Sequence, residues 1–235
     1  MSDSRKNVNT FSPEGRLYQI EYAMKASNLG TTTLGLIIGD KGILISEKKV
    51  VNKFQIKDSV KKHHKVFDHI VIGASGISAD AKSIVDKSRD YALYHHRIYN
   101  ENVPVESMLK HLCSLALKFG EKDYSRKIFS RPFGSSILTI SYENEPKLYL
   151  FDPSGSFRRY NAKVLGNATQ VLENELENKY PLMKEFDSGL LESLKIFKEV
   201  MRDPMTKENV EISVVCKDGV KFYNCDEIEK LILQI

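Results

Sequence analysis

The hydrophobic pattern of this chain switches repeatedly between two periods, and the order of the switches restricts the fold more than any other sequence feature. Segments of period two, typical of half-buried strands, come in three groups, and a pair of helix-like segments lies between successive groups. The strand-like segments are TTTLGLIIGDKGILISEKK, KVFDHIVIGAS, GSSILTISY, KLYLFD, SFRRYNAKVL and VEISVVCKDGVKFYNC. The helix-like segments span about 78–100, 105–120, 168–178 and 187–201, and DEIEKLILQI adds a short last helix.

This order predicts an α+β sandwich of four layers. Short links inside each strand group favour antiparallel pairing, with one β-hairpin expected around Gly39-Asp40-Lys41-Gly42. Two sheets that pack face to face bury one face each, and the helix pairs then cover the two outer faces. Because the chain has no internal repeat, low-complexity tract or linker, one domain over residues 1–235 is the simplest organisation.

The segment FSPEGRLYQIEYAMKA predicts an additional helix in front of the sandwich. Ser12 followed by Pro13 is typical of a helix N-cap and first helical position, so the helix is expected over residues 12–28. The stretch MSDSRKNVN is short, polar and without apolar anchors, which predicts a flexible tail over residues 1–11. The sandwich then occupies residues 31–235.

Composition excludes several classes of protein. Hydrophobic residues make up 41% and charged residues 28%, a balance typical of globular chains, and a net charge of +4 does not by itself indicate nucleic acid. Cys113, Cys216 and Cys225 form no CxxC pair, so reduced thiols are expected. The first residues lack the apolar core of a secretory signal, and no apolar run approaches the roughly 18 residues of a membrane span. These features predict a chain of the cytoplasm and nucleus without membrane contact.

The stretch LGTTTLGLII resembles the self-cleavage point of an N-terminal threonine hydrolase. A cut after Gly30 would give Thr31 a free α-amine that could act as general base, with Glu47 as orienting acid and Lys62 as the amine-tuning base. The alternative is that Thr31 simply begins a strand, since threonine has high β propensity. The capped helix expected upstream favours this second interpretation, because it is not a disposable leader.

Several longer motifs resemble the alpha subunits of the 20S proteasome. These are VNTFSPEGRLYQIEYAMKA, SGISADAKSIVDKSR, SRPFG and LYLFDPSGSFRRYNAKVLGNA, and the resemblance covers essentially the whole chain. Within the family, VNTFSPEGRL, SGISADAK and DEIEKLI are most similar to the alpha-type-five group.

The resemblance implies the N-terminal nucleophile hydrolase fold, a four-layer αββα sandwich, with an added N-terminal helix. It implies a non-catalytic subunit without catalytic residues, metal or other cofactor, placed in a ring of seven alpha chains. Its partners would be neighbouring alpha subunits, the beta subunits that carry proteolysis, and regulatory-particle ATPase tails or other activators. Its function would be ring assembly, substrate gating and activator docking in ubiquitin-dependent protein degradation.

The resemblance also implies a gate formed in part by the N-terminal tail. The implied gate residues are Ser4, Arg5, Lys6, Pro13 and Tyr22. The family usually carries Tyr-Asp-Arg where this chain has Ser4, Arg5 and Lys6, so an aromatic contact is lost and a charge reversed. This departure predicts poor support for the usual open-gate cluster, unless residues 4–6 are only a solvated terminus.

Lys62 and Gly76 match the pocket between alpha subunits in which the family receives the C-terminal carboxylate of an activator tail. A lysine ammonium suits a lone carboxylate, and glycine permits close backbone approach. Lys61 is the alternative if the register differs by one residue, since lysines crowd this stretch.

The basic stretch of residues 47–65 has other interpretations. It could be a nuclear localisation patch or a nucleic-acid contact, although Phe54 is its one aromatic residue and gives no stacking platform. The pairs His63-His64 and His95-His96 could suggest a metal site. Adjacent residues point in different directions and no third ligand stands at suitable spacing, so no metal and no nucleic acid are expected.

Overall fold

A computed structural model describes residues 9–49, 52, 54–121 and 129–235 of the chain. The strands, in chain order, are β1 (Thr33–Ile38), β2 (Lys41–Glu47), β3 (His63–Phe67), β4 (Ile70–Gly76), β5 (Ser135–Tyr142), β6 (Pro146–Phe151), β7 (Phe157–Tyr160), β8 (Ala162–Leu165), β9 (Val210–Cys216) and β10 (Gly219–Phe222). They form two sheets, a first sheet of order β10-β9-β2-β1-β8 and a second of order β3-β4-β5-β6-β7. Adjacent strands pair antiparallel throughout both.

The helices surround these sheets. In chain order they are α1 (Tyr18–Asn28), α2 (Ser78–Tyr99), α3 (Val105–Ala116), α4 (Thr169–Lys179), α5 (Phe186–Val200) and α6 (Cys225–Ile232). Short 3-10 turns lie at Lys57–Ser59, Leu117–Gly120 and Tyr180–Leu182. Among the described segments, no helix has both the length and the apolar character needed to cross a membrane.

Three apolar layers hold the architecture together. The layer between the sheets consists of Leu44, Val71, Leu138, Ile140, Leu148, Leu165 and Val215. Residues of α2 and α3 pack on the outer face of the second sheet, and residues of α4 and α5 pack on the outer face of the first. The predicted four-layer order of helix, sheet, sheet and helix is therefore confirmed.

The N-terminal helix begins later than the sequence suggested. It starts at Tyr18 rather than after Ser12, so the assignment of Ser12 as N-cap and Pro13 as first helical residue is wrong. The Ser12 oxygen atoms instead accept hydrogen bonds from the Gly15 and Arg16 amides and close a turn. Gly15 has a φ of 75°, a left-handed conformation that interrupts any helix at this point.

Two segments expected as single strands are each divided. KVFDHIVIGAS forms β3 and β4, because the chain reverses at Asp68 and His69. SFRRYNAKVL forms β7 and β8, which belong to different sheets: Phe157 pairs with Phe151 in the second sheet, whereas Ala162 pairs with Leu36 in the first. Asn161 therefore carries the chain from one sheet to the other.

Candidate functional site

The connection between α1 and β1, which we call the Gly30–Thr31 junction, is tightly packed. The hydroxyl of Ser75 lies 3.0 Å from the Thr31 carbonyl oxygen, and the Asn167 amide donates to the Gly30 carbonyl at 3.1 Å. A Cβ atom added to Gly30 would lie 2.1 Å from the backbone nitrogen of Gly76. The junction is thus in direct backbone contact with the end of β4.

Thr31 lies in the connection between α1 and β1, two residues before the strand begins. Its hydroxyl oxygen is buried and has no hydrogen-bond partner within the described residues, so neither Glu47 nor Lys62 bonds to it. The Glu47 amide donates to the Thr32 carbonyl at 2.9 Å, and Lys62 Nζ lies 3.5 Å from the Ala74 carbonyl oxygen. The two candidate partners of Thr31 therefore bond to other groups.

On the other side of Ser75 and Gly76 lies a small cavity of about 90 Å³, which we call the Lys62 cavity. Its lining comes from the end of β4, the start of α2 and the segment around β3. The lining residues are Val60, Lys61, Lys62, His64, Ala74, Ser75, Gly76, Ser78 and Ala81. The structure therefore places Lys62 and Gly76 on one cavity, as their predicted joint role requires, and it places Lys61 there too.

The two neighbouring lysines differ in environment. Lys61 is exposed, whereas Lys62 is half-buried. Burial lowers the pKa of the Lys62 ammonium, and the nearby carboxylates of Glu47 and Glu211 oppose this effect. Glu211 also accepts the backbone amide of Lys62 at 2.8 Å, and burial raises the pKa of its carboxyl group. Contacts with Glu211 and Ala74 thus hold Lys62 at the cavity.

Gly76 forms part of the cavity wall with its backbone alone. Its φ is 111°, and an added Cβ would lie 2.3 Å from the Gly134 carbonyl oxygen, so no side chain fits. The helix α2 begins two residues later at Ser78, and the first amides of a helix lack intrahelical acceptors. A lysine ammonium and a helix N-terminus beside one cavity favour a small anionic group such as a carboxylate.

An ion pair that the sequence did not predict fixes the start of α2. The Asp80 carboxylate accepts from both terminal nitrogens of Arg131, at 2.6 and 3.0 Å, and from the Gly134 amide at 2.7 Å. The Asp80 carboxylate also raises the pKa of the Arg131 guanidinium. Both motifs, SGISADAK and SRPFG, were visible in the sequence, but nothing in it paired Asp80 with Arg131.

The predicted gate residues are only partly covered. Ser4, Arg5 and Lys6 lie outside the described residues. Pro13 lies exposed in the turn before α1, and Tyr22 lies on α1 with 46% of its surface exposed. Tyr22 stacks on Tyr18, with ring centroids 6.2 Å apart. The gate role of these residues stays a prediction.

The histidines and the basic stretch have structural contacts of their own. His63 is buried, with Nε2 2.8 Å from the Ser46 hydroxyl, and burial lowers its pKa to about 3, so the ring is neutral. Lys57 pairs with Glu208, and Lys65 pairs with Asp68. Across residues 9–49, 52, 54–121 and 129–235, no three His, Cys, Asp or Glu side chains are grouped so as to hold a metal ion.

Comparison with known proteins assigns the chain to a family. A family model described as the proteasome subunit matches residues 27–215, and a model of the N-terminal signature of type-A proteasome subunits matches residues 6–26. The chain belongs to the proteasome subunit family. It carries the alpha-type signature, and it is an alpha-ring component of the 20S core particle.

The relatives agree with this assignment over nearly their whole length. A protein of Encephalitozoon cuniculi named "Probable proteasome subunit alpha type-5" is 48% identical over 228 residues, which cover 97% of this chain and 98% of the relative. The proteasome subunit alpha type-5 of Trypanosoma brucei brucei is 36% identical, with 97% and 94% covered. That of Drosophila melanogaster is 34% identical, with 100% and 98% covered. The expected similarity to the alpha-type-five group is confirmed.

Proposed function

We propose that this alpha subunit has no proteolytic site of its own and that its Lys62 cavity receives the C-terminal carboxylate of an activator, such as a regulatory-particle ATPase tail. The observation that carries the proposal is the convergence of the half-buried Lys62 ammonium, the bare backbone of Gly76 and the N-terminus of α2 on one cavity. The ammonium supplies charge and the backbone supplies amide donors, which together suit a single carboxylate.

The closed Gly30–Thr31 junction supports the proposed absence of catalysis. The junction is held by Ser75 and Asn167 and is packed against Gly76, so a cut there would have to break a well-formed contact. Proteolysis by the assembled particle is then the work of the beta subunits.

Exposed apolar side chains support a place between other subunits. On α2, Leu93, Tyr94, Ile98 and Tyr99 are each more than half exposed, and Leu29 at the end of α1 is 81% exposed. Such surfaces are typical of chains that bury them in an assembly. We assign these faces to neighbouring alpha and beta subunits, and we place the particle in the cytoplasm and nucleus.

The docking proposal is tested in the assembled core particle, isolated from cells in which a variant is the only copy of this subunit. The probe is a short peptide that ends in a free carboxylate and carries a photoreactive group, and its amidated form serves as control. Labelling of this subunit is read from the intact mass of the ejected chain. We expect Lys62→Gln and the amidated peptide each to lower labelling by at least about tenfold, since a hydrogen bond to a charged group contributes about 1.5–3 kcal/mol.

The matched control is Lys61→Gln, which removes an exposed lysine from the same cavity and should leave labelling nearly unchanged. If Lys61→Gln loses the label and Lys62→Gln keeps it, Lys61 is the docking residue. Equal labelling in every variant would refute docking at this cavity. The same intact mass tests processing, because a mature chain that begins at Thr31 would have the terminus of a threonine hydrolase.

A further inference from the structure

Ser75 lies between the Lys62 cavity and the N-terminal helix and contacts both. It is 1% exposed, it lines the cavity, and its hydroxyl lies 3.1 Å from the Ser27 carbonyl oxygen and 3.0 Å from that of Thr31. Ser27 belongs to the last turn of α1, and Thr31 lies just before β1. A serine hydroxyl has one proton, so the two carbonyls share it. The hydrogen bond of Ser75 therefore spans the junction from helix to strand.

The backbone around this hydroxyl has no free space. A Cβ added to Gly30 would lie 2.1 Å from the Gly76 nitrogen and 2.5 Å from Ser75 Oγ. A Cβ added to Gly76 would lie 2.9 Å from the Cα atom of Ser27. The cavity wall and the end of α1 are consequently in direct contact, and close-packed groups transmit displacement instead of absorbing it.

We propose that Ser75 is a positioning residue that couples occupancy of the Lys62 cavity to the position of α1. This inference rests on the proposed docking function and adds its regulation. An anion held between the Lys62 ammonium and the start of α2 displaces the Ser75–Gly76 backbone. Because Ser75 holds the Ser27 carbonyl, the displacement passes into the last turn of α1, and α1 carries Tyr22.

The structure supplies a control for this coupling. Ser136 on β5 is also buried, and its hydroxyl donates to Ser27 Oγ at 3.0 Å, but Ser136 does not line the cavity. Ser136→Ala thus removes a hydrogen bond to α1 without touching the cavity, whereas Ser75→Ala removes a bond that joins the two. Loss of stability alone would affect both variants.

The test is amide hydrogen exchange of this subunit within the core particle, with and without saturating carboxylate peptide. In the wild-type particle we expect the peptide to change amide exchange at Leu29 and Gly30, whose amides donate to carbonyls in the last turn of α1, by about threefold or more. In Ser75→Ala we expect the label of the photoreactive peptide to persist while this change falls to less than about half its wild-type size. Ser136→Ala should respond like the wild type.

Each possible result supports or overturns either the coupling through Ser75 or the docking itself. A full response in Ser75→Ala, or an equal loss in Ser136→Ala, would overturn coupling through Ser75. Absence of labelling in the wild-type particle would instead overturn docking itself, which is a distinguishable failure. Should Ser75→Ala fail to assemble, the wild-type particle still gives an answer: exchange of α1 that is identical with the carboxylate and amidated peptides, at full carboxylate-peptide labelling, refutes the coupling.

Discussion

The two sides of the Ser75–Gly76 backbone differ in how closely they are packed. On one side the Gly30–Thr31 junction fills all available space with backbone atoms and leaves the Thr31 hydroxyl without a hydrogen-bond partner among the described residues. On the other side the chain leaves a cavity of about 90 Å³ and places a half-buried ammonium beside it.

The difference separates two kinds of structural constraint. The closed side depends on steric fit between backbones, which an added methyl group destroys. On the open side the main feature is the charge of the Lys62 ammonium, and small changes in side-chain volume there should have little effect. Substitutions on the two sides should therefore differ in kind as well as in magnitude.

Gly30→Ala is expected to have the largest effect. Its Cβ would meet the backbone nitrogen of Gly76 at 2.1 Å, and backbone atoms cannot rotate away, so we expect a loss of about 3 kcal/mol in the free energy of unfolding. Gly15→Ala is the matched control: it has a φ of 75° but nothing within 4 Å of its added Cβ, so about 1 kcal/mol is expected. Urea denaturation measures both, and equal losses would show that the junction is not tightly packed.

Acidification is expected to have the next largest effect, through the buried His63. Burial lowers the pKa of His63 from an ordinary value of 6.5 to about 3, so between these values the unfolded chain binds a proton that the folded chain does not. The stability is fully present above pH 6.5 and falls as the pH drops, by up to about 1.4 kcal/mol per pH unit.

The variant His63→Gln removes this titration. We expect its unfolding free energy to decline less steeply between pH 6.5 and 5 than that of the wild type, even if it is lower at pH 7. Parallel pH profiles for the two proteins would show that His63 is not the group responsible.

Thr33→Val is expected to have a smaller effect on the closed side. The Thr33 hydroxyl accepts from the Ser46 hydroxyl at 2.9 Å and lies 3.3 Å from the Ala74 carbonyl oxygen, all in the buried interior. Valine has nearly the same shape and leaves the Ser46 hydroxyl without this acceptor, so a loss of about 1 kcal/mol is expected. Thermal denaturation at neutral pH measures it.

Thr31→Val is expected to have the smallest effect. Its hydroxyl oxygen is buried with no hydrogen-bond partner in the described part of the chain, so its removal should leave the unfolding free energy within about 0.5 kcal/mol or raise it slightly. Peptide hydrolysis by the particle should not change. A marked loss of hydrolysis attributable to this subunit would restore Thr31 as a nucleophile.

Local patterns predicted the elements whose signals are strong. The helix expected over about 78–100 is observed as Ser78–Tyr99, and the hairpin around Gly39 and Asp40 is observed between β1 and β2. These elements combine long periodicity or clear turn residues with burial of the same face. Local chemistry failed at Ser12, where a good cap sequence is followed by a left-handed Gly15.

Local sequence patterns could not predict features that depend on contacts between distant parts of the chain. The alternation of SFRRYNAKVL continues through Asn161, so nothing in it shows that the chain changes sheets there. Lys62 and Gly76 were predicted from family resemblance, and the structure places both on one cavity. The partners Asp80 and Arg131 and the central position of Ser75 depend on how β4, α2 and β5 meet, which no spacing reveals.

The strand order also determines when each sheet can complete its strand pairing during synthesis. The second sheet uses consecutive strands from His63 to Tyr160, so all its partners have emerged once Tyr160 leaves the ribosome. The β1–β2 hairpin is made first but must wait for β8 and β9, which arrive near the end of the chain. Until then it presents apolar side chains such as Leu36 and Ile45 and two unpaired edges, the features that promote aggregation. We therefore expect a nascent chain with this strand order to require shielding of its first strands until its last strands are made.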